Sequence, residues 1–308
     1  MSDAPDDKTW AAQPGHQILH RQAGGYPELL AQIPDPPETL YVDGNVDVLH
    51  LPCIAIVGSR NPTRQGRDNA YEFARHLGRA GFCIVSGLAQ GIDAAAHEGA
   101  LDGGASTVAF LGHGIDRIYP AGHEALAERI RQQGALCSEF PLGMAPRRAA
   151  FPQRNRLISG LSLGTLVVEA ARRSGSLITA RLAGEQGREI FAIPGSIHNP
   201  LSRGCHLLIR QGAKLVESGH DIVSELGMLA EHMLETPPAP AEVSGPATSR
   251  DPDYQTLLDT MGFDPVSTDE LAQKSGLTIE QVSSMLLILE LEGQIEAQSG
   301  GRYSRLHR

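Results

Sequence analysis

Between residues 53 and 216 the chain repeats one pattern: a short, almost wholly apolar run followed by a longer amphipathic stretch. The runs are CIAIV (53–57), FCIVS (82–86), STVAFL (106–111), ALCSEF (135–140), TLVVEA (165–170), EIFAIP (189–194) and AKLV (213–216). Stretches at 67–80, 92–102, 123–133 and 176–186 have the spacing of helices. A strand that is apolar on both faces needs cover on both faces. The pattern therefore predicts an α/β fold over roughly residues 50–225: an extended, Rossmann-like, mostly parallel sheet with helices on both faces.

In such sheets ligands sit beyond the carboxyl ends of the strands, so the turns after the apolar runs are the first places to look for function. Gly58, Ser59 and Arg60 follow the first run. They do not form a GxGxxG, so a dinucleotide fingerprint is absent. A glycine there lets the backbone approach an anion, and Arg60 can hold a phosphate through two parallel N–H bonds. The turn SGLAQGID (86–93) leads into a predicted helix N-terminus, itself an anion site. Gly112-His113-Gly114 and Pro194-Gly195-Ser196 are expected to shape the rim.

Composition narrows the class. With 308 residues there is room for about two domains. A hydrophobic share of 41% and a charged share of 20% belong to a soluble globular protein. No apolar stretch approaches the roughly 18–20 residues that span a bilayer, and MSDAPDDKTW lacks the basic and apolar regions of a signal peptide. The cysteines, Cys53, Cys83, Cys137 and Cys205, have no CxxC spacing, and three lie in apolar runs. They read as buried reduced thiols rather than disulfides or zinc ligands. The expectation is a cytoplasmic protein with no membrane partner, no metal and no cofactor.

Composition also divides the chain. Residues 1–49 hold eight carboxylates against Lys8 and Arg21, with Pro34, Pro36 and Pro37, and read as an acidic, mostly extended N-terminal extension. The Rossmann-like domain is expected at 50–228 and a Pro/Ala/Ser-rich linker at 229–252. In 253–308 a first helix is expected at 254–261. Ser267 or Thr268 caps a second, Gly276 turns the chain, Thr278 opens a third, and two short strands flank Gly300 and Gly301. That order is a winged helix. Its third helix carries Glu280, Glu290 and Glu292 and no Lys or Arg, and the segment sums to −5. Duplex recognition needs cations for phosphates, so protein contact suits this domain better.

The strongest functional signal is electrostatic. Residues 144–184 hold seven arginines (Arg147, Arg148, Arg154, Arg156, Arg172, Arg173, Arg181) against one carboxylate, Glu169, inside a chain of net charge −10. A basic island in an acidic chain fits an anionic ligand. Phe151 sits among these arginines beside Asn155, where it can serve as a base-stacking platform or as core filler. Glu169 suits a general base, a helix cap or an arginine partner. His97, four residues after Asp93, suits a metal or proton relay less well than a hydrogen bond on the helix surface.

The ordered motifs resemble the DNA-processing protein A family (DprA, also called Smf). They are Tyr26-Pro27, PPETLY (36–41), IVGSR (56–60), SGLAQGIDAAAH (86–97), FPQRNR (151–156), SGSLITA (174–180), Pro194-Gly195 and Gly212-Ala213. The resemblance implies a non-enzymatic protein that binds single-stranded DNA, protects it during natural transformation and loads the recombinase RecA. It implies a homodimer through the Rossmann-like domain. It also implies DNA contacts at Gly58, Ser59, Arg60, Phe151, Arg154, Asn155 and Arg156, with Ser174, Gly175, Ser176 and Thr179 close by. Many relatives begin with a helical SAM-like domain, for which the residues before Tyr26 are too few, and many have Asn where this chain has His206. The alternative is a nucleotide-monophosphate-binding or phosphoribohydrolase-like enzyme, with its glycine-rich motif at 160–165 and its carboxylate at Glu169.

Overall fold

The structure, a computed structural model, describes residues 6–235 and, further on, 257, 260, 261, 266–279, 282, 285, 286, 289, 295–298 and 302–305. The chain forms two compact units, residues 1–238 and 239–308.

The first unit runs α1 (Asp7–Ala11), β1 (His16–His20), α2 (Glu28–Ala31), β2 (Thr39–Gly44), β3 (Cys53–Val57), α3 (Arg64–Arg79), β4 (Cys83–Ser86), α4 (Ile92–Asp102), β5 (Thr107–Phe110) and α5 (Glu124–Gln133). It continues β6 (Ala135–Ser138), α6 (Ala150–Gly160), β7 (Gly164–Val167), α7 (Gly175–Glu185), β8 (Glu189–Ala192), α8 (Arg203–Arg210), β9 (Lys214–Leu215) and α9 (Gly219–Glu235). Every apolar run of the repeated pattern is a strand. Strands β3 to β9 run parallel to one another, as in the pairing of Ile54 with both Ile84 and Gly164. Sheet order is β1-β2-β6-β5-β4-β3-β7-β8-β9.

The two-faced cover follows from side-chain alternation. Cys53, Ala55 and Val57 of β3 join one buried cluster with Phe110, Leu157 and Ile158, while Ile54 and Ile56 join another with Phe73, Leu77 and Ile222. All four cysteines are buried and unbridged.

Within the acidic segment expected as an N-terminal extension, the described residues place β2 in the sheet. It pairs antiparallel with β6, and β1 pairs antiparallel with it. Leu40, Tyr41 and Val42 are buried, and Trp10 packs under Tyr41 with its ring stacked 4.2 Å from His16. The acidic composition hid this edge. Asp43 faces Arg131 at 2.6 Å and so serves as an ion-pair partner within the fold.

Residues 150–160 form a helix the motif reading did not separate from its turns. Arg154, Leu157, Ile158 and Leu161 are buried at helical spacing, and Pro152 sits in the first turn, where its missing N–H costs nothing.

In the second unit, β10 (Val266–Ser267), β12 (Arg302–Arg305) and β11 (Ile295–Gln298) form an antiparallel sheet in that order. The helix Thr268–Ser275 is capped by Ser267, whose Oγ accepts from the Glu270 N–H, and ends at Gly276. Val282, Met285, Leu286 and Leu289 are buried with Leu271 and Ile295, as a winged helix requires of its third helix. Glu280, Glu290 and Glu292 lie outside the described residues, as does the linker beyond Glu235. No helix among the described residues is long and apolar enough to cross a membrane.

Candidate nucleic-acid interface

From β3 the chain steps one way across the sheet to β4, β5 and β6; from β7 it steps the other way to β8 and β9. The turns after β3 and β7 therefore diverge and open a crevice at the carboxyl ends of the strands. A cavity of about 640 Å³ fills it. Its walls come from Val57, Gly58 and Arg60 after β3, Ala89 and Asp93 at the start of α4, and Tyr119. Arg148, Phe151, Pro152, Arg154, Asn155 and Ile158 approach from α6 and the turn before it, and Ser174, Gly175, Ser176 and Thr179 from the start of α7.

Nine of the eleven residues singled out in the sequence line this cavity: Gly58, Arg60, Phe151, Arg154, Asn155, Ser174, Gly175, Ser176 and Thr179. Ser59 and Arg156 do not. Ser59 knits the turn, its Oγ accepting from the Asn61 N–H and its carbonyl from the Ile92 N–H. Arg156 is spent on the fold. Its two Nη atoms donate at 2.6 Å each to the two oxygens of Glu139, and its Nε donates at 3.2 Å to Asp35. Arg156, expected to contact DNA, thus forms an ion pair with Glu139 outside the cavity lining.

Arg154 is the buried cation among the three arginines of the cavity wall and is only 3% exposed. Its Nη1 donates to the Phe110 carbonyl, and its Nε has no partner among the described residues. Gly87 is what admits it: a Cβ there would lie 2.1 Å from Nη1. Burial, reinforced by Arg60, pulls the guanidinium down to about 10 against the opposing pull of Asp93, so it stays charged at neutral pH. Burial pushes Asp93 up from the ordinary carboxylate range, opposed by Arg154 and by the N–H groups of Ala89 and Gly87.

Phe151 is half-buried. Gly112 lies directly beneath it, where a Cβ would come within 2.7 Å of its ring. The Arg60 guanidinium carbon lies 5.4 Å from the ring centroid, within cation–π range. Tyr119, 49% exposed, stands beside it with centroids 5.9 Å apart and planes tilted by 39°. The two rings give the mouth an aromatic ledge next to a cation. Tyr119 carried no sequence signal: it lies more than thirty residues from Phe151, and only the tertiary fold joins them.

At the opposite wall, Ser174 caps α7 and its Oγ lies 2.6 Å from the Oγ of Ser176. The positive end of that helix thus faces the cavity. The rest of the arginine island divides. Arg147, Arg148, Arg172 and Arg173 are exposed and form no ion pair among the described residues, whereas Arg181 pairs with Glu185.

Two further candidates resolve as structural. Glu169 accepts from the Thr63 N–H at 2.8 Å and from its hydroxyl at 2.6 Å, fastening the start of α3, and it does not line the cavity. The residues 160–165 close α6 and enter β7, away from the cavity walls. His97 is fully buried rather than on a helix surface. Its Nδ1 lies 2.7 Å from Thr107 Oγ1, whose hydroxyl already donates to the Ile84 carbonyl, so Nδ1 carries the proton. No cluster of three metal-ligating side chains occurs among the described residues.

An open α/β domain with a cationic, aromatic-edged cavity at its switch point, accompanied by a winged helix, defines a ligand-binding scaffold of recognisable type. The chain belongs to the DNA recombination-mediator protein A family, which its residues 17–227 match. Residues 236–301 match the DprA winged helix domain. Protein Smf of Escherichia coli (strain K12) is 43% identical over 300 residues, covering 97% of this chain and 80% of that one. The DNA processing protein DprA of Streptococcus pneumoniae is 47% identical over 225 residues, 73% of this chain and 78% of that one. The X-ray structure of DprA from Streptococcus pneumoniae superposes with a TM-score of 0.67 at 43% identity, over 72% of this chain and 78% of that one. The Helicobacter pylori DNA processing protein A, solved for its single-stranded DNA binding mode, superposes with a TM-score of 0.63 at 30% identity, over 69% and 96%.

Proposed function

We propose that this protein is a single-stranded-DNA-binding recombination mediator that protects incoming DNA in natural transformation and loads RecA, acting in the cytoplasm as a homodimer through its Rossmann-like unit. The observation that carries the binding step is the juxtaposition of Phe151 and Tyr119 with Arg60, Arg148, Arg154 and the start of α7 around one cavity. Rings receive unstacked bases, which a duplex keeps inside its stack, and the cations take the phosphates between them. Family membership supports the RecA and dimer readings; the Helicobacter pylori relative's binding mode supports the choice of strand. We read the molecule as a binder rather than an enzyme, because the carboxylate the alternative needs, Glu169, is engaged at Thr63.

The test is binding of labelled oligo-dT against a duplex of equal length across salt. Three arginines, Arg60, Arg148 and Arg154, line the cavity. The logarithm of affinity should then fall with the logarithm of salt at a slope of roughly −2, from about −0.7 per phosphate. Tighter duplex binding or a flat salt response overturns the proposal. RecA loading is read separately, as displacement of a single-strand-binding protein from the oligonucleotide by RecA with and without this protein.

A further inference from the structure

The cations around the cavity occupy two depths. Arg60 and Arg148 are exposed at the mouth, where a strand passing across it would meet them. Arg154 lies deeper. It is 3% exposed, leans on Gly87 and reaches only what enters the cavity. Burying a guanidinium costs several kcal/mol unless partners repay it. Here Nη1 has a carbonyl, Nε has no partner among the described residues, and Asp93 divides its attention with two backbone N–H groups. The α7 N-terminus opens on the same space, with Ser176 and Thr179 on its first turn and a half. A buried, incompletely partnered guanidinium and a helix N-terminus converging on one cavity call for an anion inside it. The volume, about 640 Å³, exceeds what a bare phosphate needs and is in the range of a mononucleotide-sized ligand.

We propose that the inner part of the cavity binds a nucleotide's terminal phosphomonoester, held between Arg154 and the start of α7 with its base against Phe151. This rests on the single-strand reading of the same site and adds a preference for a strand end. An internal phosphodiester carries one charge and only two free oxygens. A terminal monoester above pH about 6 carries nearly two charges and three acceptor oxygens, which suits several convergent donors better. The same group is presented by a 5′-phosphorylated strand end and by a free nucleoside 5′-monophosphate.

The experiment uses the full chain and two 3′-labelled oligo-dT strands identical except for a 5′-phosphate or a 5′-hydroxyl, with dTMP and thymidine as competitors. The phosphorylated strand should bind about tenfold more tightly or better at pH 8, as one or two charge-assisted hydrogen bonds provide. dTMP should displace the strand where thymidine does not. Arg154→Met should abolish that preference; should this variant not fold, the comparison of ligands on the unaltered protein decides alone. A 5′-phosphate preference without dTMP displacement assigns the site to strand ends, and displacement without the preference assigns it to free mononucleotides. Equal affinity for both strands with no dTMP effect overturns the inference and leaves single-strand binding standing. Binding of neither strand brings down both.

Discussion

At the scale of single residues, the cavity separates side chains that look alike in the sequence. Arg60 touches the Phe151 ring and is exposed, so Arg60→Ala should weaken oligo-dT binding and flatten the salt slope by about 0.7 while leaving the melting temperature nearly unchanged. Arg156→Ala should do the reverse. Its partner Glu139 has a side chain only 8% exposed, and stripping the cation from such a pair costs about 3–5 kcal/mol, with affinity of the folded protein retained. Phe151→Ala should cost about 1–3 kcal/mol of binding with the salt slope intact, and Phe151→Tyr should restore most of it, since either ring offers a flat face. Melting and oligonucleotide titration on the same preparations check all three. A Phe151→Ala variant that melts early but binds normally would make the ring core filler.

At the scale of elements, one helix beside the cavity is held at its start by a side chain that follows a neighbouring strand. The start of α3 is fastened to the chain just beyond β7, the neighbour of β3, by Glu169, whose carboxylate takes both the N–H and the hydroxyl of Thr63. Glu169→Ala leaves those donors without their acceptor, and the expected loss is about 1–3 kcal/mol of stability. Oligonucleotide affinity should stay unchanged, because Glu169 does not line the cavity. A loss of binding without a loss of stability would restore the carboxylate to the site. The positions of these elements were largely legible beforehand: the run at 53–57 is β3 and the stretch at 92–102 is α4, residue for residue. Helix α6 was harder to see, because its buried face includes an arginine. A charged residue on an inward position disguises a helical stripe from any reading that sorts residues by polarity.

For the whole molecule, one buried titratable group sets an acid limit. His97 is pulled down to about 3, first by burial and then by the positive fields of His123 and Arg154. Its unfolded value is about 6.5. A group depressed on folding contributes stability that is complete above the unfolded value and is lost as pH falls towards the folded one. Stability should therefore decline between about pH 6.5 and 3 with a slope approaching 1.4 kcal/mol per pH unit from this residue. His97→Asn keeps an amide donor at the Nδ1 position for Thr107 and cannot titrate, so its acid limb should be shallower by that amount in urea unfolding across pH. An equal slope in both proteins would assign the acid limb to other groups. The division into two compact units predicts in turn that residues 1–238 alone bind oligo-dT as the full chain does, checked by titrating both.

By itself the sequence determined the class of the fold, the strands almost to the residue, the neighbourhood of the cavity and the family. Each of these is written locally, in the length and continuity of apolar runs and in short motifs at strand ends. Tertiary structure alone decided which side chains line the cavity. It paired Arg156 with Glu139, sank Arg154 behind Gly87, carried Tyr119 to Phe151, and joined Glu169 to Thr63 across 106 residues of chain. It also drew the acidic leading segment into the sheet as β1 and β2. The reason is physical. Burial pattern is a property of consecutive residues, whereas the partner of a charge or a ring is set by whichever distant element the fold packs against it.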